Sequence, residues 1–235
     1  MEREEAWPMV IDTIDLAALV IFLVVWVGYS WFTERGPFAE RGLSSAINQQ
    51  RERWMRVMFL RDLRMIDTAI MAGLQQGTAF FASACIFAIG GTFAMLGSAE
   101  RIAVIASDLP FYGRLDRALV EFKLLGLVMI FAYAFFKFGW AYRLFNYCSI
   151  LIGAIPMHAD AEANPAEAER AVVRAARLNQ QAGLNFNSGL RAIFFALAYL
   201  GWFLGPYALF LTTFLVLMIL ANRQFYSPAR KAFID

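Results

Sequence analysis

Four apolar stretches in this chain are long enough to cross a lipid bilayer, and they constrain the fold more than any other feature. Hydrocarbon offers no partner to a backbone N–H or C=O, so a stretch of this length and apolarity has to satisfy its own backbone as a helix. The first runs from Thr13 to Phe32 and reaches the roughly 20 residues that a spanning helix needs. Trp26, Tyr29 and Trp31 supply interfacial aromatics at its far end. The second starts near Asp67 and runs to about Leu96, the third starts around Ala118, and the last covers Leu190 to Ala221. Composition agrees: 60% hydrophobic against 17% charged, with a mean hydropathy of +0.54, excludes an ordinary soluble domain. The expected fold class is all-α, a polytopic helical membrane protein forming a single integral-membrane domain over residues 1–235. A formal charge of +2 is too small to argue for nucleic acid.

Charge placement sets the orientation. Residues 1–12 carry acidic charge ahead of the first apolar run and do not read as a cleavable signal peptide, which would want a basic start. From Arg35 to Arg64 the chain then holds Arg35, Arg41, Arg51, Arg53, Arg56, Arg61 and Arg64 against fewer acids. An arginine excess in a short connection stays in the cytoplasm, which puts the N-terminus in the periplasm. On a helical wheel Ile47, Trp54, Met55, Met58, Phe59, Met65 and Ile66 gather on one side, with Arg53, Arg56, Arg64 and Asp67 on another. That pattern predicts an amphipathic helix lying at the inner membrane surface, with Arg53, Arg56 and Arg64 as candidate contacts to lipid headgroups.

The second span carries Gln75 and Gln76 and then Ala82, Ser83, Ala84, Gly90 and Gly91, small residues that let membrane helices approach closely. Buried amides there serve either as interhelical glue or as pathway groups. Beyond it, residues 97–117 form a charge-balanced outer connector broken at Leu109-Pro110. Glu121 and Lys123, with Asp12 and Asp15, read as an external polar cluster or as interfacial charges reaching water. The third span ends in Phe131–Pro156, where Lys137, Arg143 and Asn146 sit among aromatics and aliphatics. Lys137 comes about 20 residues after the outer boundary, near the inner interface. An unpartnered ammonium is costly there, so Asp67 and Lys137 form a candidate ion pair.

Past Pro156, Asn164, Pro165 and Glu167 make a helix-start signature, and ERAVVRAARLNQQ predicts a short surface helix within Met157–Asn187. The final apolar region exceeds one untilted span and has Gly205-Pro206 near its centre. Either one kinked helix or a hairpin of two spans fits. The hairpin returns Arg223, Arg230 and Lys231 to the cytoplasm, so five spans are preferred over four.

No phosphate loop, nucleophile elbow or zinc-protease motif occurs, so no enzyme is expected and no catalytic residue is assigned. Cys85 and Cys148 lie in apolar segments as packed hydrophobes, and the one histidine, His158, cannot form a metal cluster; no metal or other cofactor is expected. Arg51, Arg53-Trp54-Met55, Met58, Arg61, Arg64 and Asp67, then Phe80-Phe81-Ala82-Ser83, then AFFKFGWAYRLFNYCSILIGAIP and FNSGLRAIFFALAYLGWFL, together resemble the bacterial integral-membrane family catalogued as domain of unknown function 599. The resemblance spans nearly the whole chain and implies a multi-pass inner-membrane protein with no established activity. Its shared polar positions here would be Arg53, Arg61, Arg64, Asp67, Lys137, Asn146, Asn185 and Arg191.

Two roles follow from the residues. One is transport or conduction of a small, anionic solute or ion through an oligomer, with Gln75, Gln76, Lys137, Asn146, Asn185, Asn187 and Arg191 as a polar pathway. The other is an accessory or scaffold subunit, docking through its helices to copies of itself or to a larger membrane complex. In that second role the same polar residues form a structural network.

Overall fold

The computed structural model describes residues 12–36, 39–107, 117–157, 161 and 164–234. His158 and Leu109-Pro110 lie outside them. In chain order the helices are α1 (Thr13–Glu34), α2 (Leu43–Phe59), α3 (Met65–Leu96), α4 (Ala99–Ser107), α5 (Arg117–Ala154), α6 (Pro165–Leu200), α7 (Pro206–Phe225) and α8 (Pro228–Ile234). No strand occurs among the described residues. Five helices, α1, α3, α5, α6 and α7, are long and apolar enough to cross a membrane.

Their lengths fall into two groups. α1 has 22 residues and α7 has 20, about one bilayer's ~30 Å of hydrocarbon at 1.5 Å per residue. α3, α5 and α6 have 32, 38 and 36 residues and overshoot that thickness by roughly 20 Å or more. The surplus lies at one end. Arg191 of α6 bonds Glu34 at the end of α1, while residues 165–183 of α6 continue past that level. The second half of α5 and the first turns of α3 continue with them. At the opposite end Asp15, Lys123 and Trp202 meet at a common level.

Each layer has its own core. Between the levels of Asp15 and Glu34, Phe22, Cys85, Phe138, Phe195, Tyr199 and Trp202 are buried together, with rings meeting edge-on or stacked. Beyond that layer, Met55 and Met58 of α2, Met71 of α3, Phe145 and Ile152 of α5 and Val172 and Ala176 of α6 form a second core. α2 therefore does not lie flat on the membrane. It stands along the first half of α6, with Gln180 Nε2 donating to the Asn48 carbonyl at 3.0 Å and Arg56 paired with Glu169. Its apolar stripe has α5 and α6 to bury against, a better partner than the headgroup layer. Met65, Ile66 and Asp67 belong to α3, not to the same helix, because the chain turns over Leu60–Arg64.

The charged ERAVVRAARLNQQ segment is likewise no separate helix. It is the first half of α6, started by the Asn164 side chain accepting from the Glu167 N–H and by Pro165 in the first turn. The two final spans form the hairpin. α6 closes with a 3-10 turn over Gly201–Leu204, and Gly205 takes φ 121° and ψ 165° before Pro206 opens α7. That backbone is essentially restricted to glycine. The hairpin brings α8 back beside α2, where Arg230 Nε donates to the Arg41 carbonyl at 2.8 Å.

The hairpin gives a direct expectation. Gly205→Ala should destabilise the protein by about 1–3 kcal/mol, read as a lowered thermal midpoint in detergent, whereas Gly28→Ala, with open space around it, should be neutral or stabilising. Equal midpoints for the two variants would contradict the strained turn.

Candidate functional site

Charged and amide side chains gather at three places. At the far end of the membrane layer lies an ion pair that the sequence left undecided between a cluster and snorkelling charges. Lys123 is fully buried, 3.7 Å from Asp15 Oδ1, and its Nζ donates to the Trp202 carbonyl at 2.9 Å. Trp202 Nε1 donates to the same Asp15 oxygen, and its ring lies 4.8 Å from the lysine nitrogen. Placing α1, α5 and the α6–α7 corner on one buried pair ties three elements together. Asp12 and Glu121 do not join it; Glu121 pairs with Arg117 in the next turn.

The second place is the far end of the second core. Asp67 is completely buried and receives Trp54 Nε1 and Arg61 Nη1, both at 2.6 Å. Lys137 is not its partner. Gln75 donates to Asn146 Oδ1 at 2.8 Å and to Ser149 Oγ at 3.0 Å, which fixes the antiparallel register of α3 on α5. Asp67 lies eight residues from Gln75 and Lys137 nine from Asn146 on the opposite side, a combined offset of about 25 Å. Lys137 instead lies over the Tyr133 ring, 5.5 Å from its centroid. α3 starts well outside the membrane layer, so Asp67, though at the start of that span, is not at Lys137's depth.

Arg64 donates to the carbonyls of Ile152, Ile155 and Pro156 at 3.0, 2.7 and 2.8 Å. It thereby satisfies carbonyls in the last turn of α5 and just beyond it, which a helix end leaves without partners. Arg56 bonds Glu52 and Glu169, and hydrogen bonds to Glu169 first and Glu52 second hold its guanidinium above the ordinary arginine range. Of the three arginines proposed for headgroups, Arg53 alone is exposed without an ion pair among the described residues.

The third place is the boundary between the two layers. Arg191 is nine-tenths buried and paired with Glu34. With Asn187, Arg223 and Gln224 it lines a cavity of about 130 Å³ among α1, α2, α6 and α7. A second cavity of about 200 Å³ lies among α2, α3, α5 and α6, lined by Arg51, Gly73, Gly77, Phe145, Gly183 and Phe186. Ile47 and Asn187 belong to both cavities and form the wall between them. Arg51 Nη1 donates to the Asn179 side chain and carbonyl. Burial pushes its guanidinium below the ordinary arginine value, and no carboxylate among the described residues is paired with it.

The structure thus separates the predicted polar residues. Gln75 and Asn146 bond each other, Asn187 and Arg191 share a cavity, and Asn185 Nδ2 donates to its own helix at the Gln181 carbonyl. Gln76 is exposed on the face of α3 turned away from these contacts. Sequence reasoning passed over Glu34 and Asn179 as site residues and named Arg51 only as an orientation charge and within the family resemblance. Glu34 closes an apolar span, and Asn179 sits in a segment read as surface; only helix register brings either to an arginine. No group of three or more histidine, cysteine, aspartate or glutamate side chains able to hold a metal ion occurs among the described residues.

For the buried pair, Asp15→Asn or Lys123→Met alone should cost about 3–5 kcal/mol, because each leaves an uncompensated charge. The double variant should recover more than half of that loss, as measured by unfolding in mixed micelles. Additive losses would show that the pair is not coupled.

No curated protein and no solved structure matches this chain. A protein-family model described as "Protein of unknown function, DUF599" matches residues 17–229. With most of its length covered, this membrane protein of five apolar spanning helices belongs to that family.

Proposed function

We propose that the protein is a non-enzymatic accessory or scaffold component of the bacterial inner membrane, present as a homo-oligomer or in a larger membrane complex. The observation carrying this reading is that its polar side chains are spent on one another in separate clusters, with a ring-packed core between Asp15 and Glu34. A pathway needs polar groups lining one passage through that layer. The helices that overshoot the bilayer instead build a second, water-side core, a platform suited to docking. The arginine-bearing end that carries α2 and α8 faces the cytoplasm in this reading, with the N-terminus periplasmic, because arginine-rich connections stay inside.

Conduction of a small anion through an oligomer is the second reading. Its support is the pair of cavities that meet at Asn187, with Arg191 and Arg223 on one side and Arg51 on the other. Anion flux into liposomes separates the two. Purified protein should leave the flux at the level of empty liposomes. Flux above that level, lost on Lys137→Met or Arg191→Met, would overturn the scaffold reading in favour of conduction.

A further inference from the structure

The 200 Å³ cavity at Arg51 has a shape and chemistry that the scaffold role does not explain. α2 packs on α6 and α3 packs on α5, so a cleft opens between α2 and α3 with Phe145, Gly183 and Phe186 as its floor. Its volume is several times the ~30 Å³ that one water occupies in the liquid. Two features keep it open. Gly73 and Gly77 are exposed on the α3 wall, and a Cβ on either would meet nothing within 4 Å. On the floor, Gly183 lets the Arg51 guanidinium lie on α6, since a Cβ there would come within 3.0 Å of Arg51 Cζ.

Two polar side chains in the cleft, Arg51 and Asn187, keep hydrogen-bonding capacity to spare. Arg51 is bonded to the neutral Asn179, lies over the Phe145 ring, and has no ion-pair partner among the described residues. Among the described residues nothing hydrogen-bonds the Asn187 amide. A half-buried cation with no counter-charge attracts an anion, and a guanidinium with an adjacent amide suits a phosphate or carboxylate. Of the remaining lining, Ile47, Leu74, Phe145 and Phe186 are apolar, while the Asn48 carbonyl accepts from Gln180 Nε2 and the Thr78 hydroxyl donates to the Leu74 carbonyl. Position supplies the source of the anion. Asn187 lies one turn of α6 beyond Arg191, whose partner Glu34 ends the bilayer-long α1, so the cleft is at the depth of the lipid headgroups.

We propose that this cleft binds one anionic phospholipid of the surrounding bilayer, its phosphodiester on Arg51 and Asn187 and its first methylenes along Gly77 and Phe186. Charge complementarity, an open wall beside lipid and headgroup depth all point to that occupant. A free anion would meet the guanidinium alone and leave the apolar wall unused. The site is independent of the scaffold reading, since a lipid can be held by a scaffold or by a conduit.

The test uses the full chain in a nonionic detergent, with thermal unfolding and native mass spectrometry as readouts. The probes are an anionic glycerophospholipid, a zwitterionic one with the same acyl chains, and inorganic phosphate. The anionic lipid should raise the unfolding temperature and remain bound at one per chain, while the other two should do neither. Asn187→Ala should weaken anionic-lipid retention by about tenfold, the loss expected for one charge-assisted contact, and Gly77→Leu, which fills the cleft without touching a charge, should weaken it at least as much. Arg51→Gln should do the same. Arg53→Gln, outside the cleft, should retain it fully. Equal stabilisation by the zwitterionic lipid, reproduction of the whole effect by inorganic phosphate, or undiminished retention by Gly77→Leu would each overturn the proposal. If Arg51→Gln fails to fold, the Gly77 and Asn187 variants still decide it.

Discussion

The mismatch between one bilayer and the lengths of α3, α5 and α6 governs the rest of the structure. A helix of 38 residues cannot hide its whole length in about 30 Å of hydrocarbon. Its surplus has to find other apolar cover or stand in water with its buried face exposed. Here three surplus segments emerge at the same end and pack together, and α2 supplies the fourth wall. Met55, Met58, Cys148 and Val172 are as buried in that outer core as Phe138 and Phe195 are in the inner one. The five apolar helices and the amphipathic one are thus a single packing solution.

Electrostatics follows from the same geometry. Helices that run out of the bilayer need their ends satisfied without lipid, and arginine reaches several acceptors at once. Arg64 closes the end of α5, Arg61 and Trp54 fix Asp67 at the α2–α3 corner, and Arg56 ties α2 to α6 through Glu169. An arginine-rich connector is therefore both a topology signal and a set of structural clamps. The clamps also explain why little of that charge is left for lipid: Arg64 and Arg61 are taken up by backbone and Asp67. Arg51, paired with neither acid nor helix end, stands out against that pattern.

Much of the architecture was legible in the chain. The five spans, the hairpin at Gly205-Pro206 and the Asn164 helix start come from apolar run length, glycine-proline chemistry and capping, which are local properties. The α2 stripe was legible too, but its partner was not, because a wheel shows that Ile47, Met55 and Met58 share a face and not what covers it. The Asp67–Lys137 pairing failed for a related reason. Depth was counted from where each apolar run starts, and α3's run starts in the outer core, so its first acid lies far from the membrane boundary. The Gln75–Asn146 bond and the Arg51 cleft depend on the registers of α3 on α5 and α2 on α6, which periodicity within one helix does not encode.

Depth also changes what a polar residue in this chain means. A glutamine or asparagine within hydrocarbon is a strong functional indicator because its unpaired cost is high. Gln75, Asn146 and Ser149 lie in the outer core, among residues such as Met71 and Phe145, where the same hydrogen bonds serve to set register, as in a soluble bundle. Within the bilayer-long layer, Asp15 and Lys123 are buried against Trp202 and close the α6–α7 corner. Between that pair and Arg191 the helices are joined by Phe22, Trp26, Phe195 and Tyr199, whose rings meet within 6 Å. Conduction along the axis of one copy would have to part those rings and lose their contacts. The arginine-lined cavities lie at the boundary of the two cores, where α2 leaves the side of α3, and not along the bundle axis.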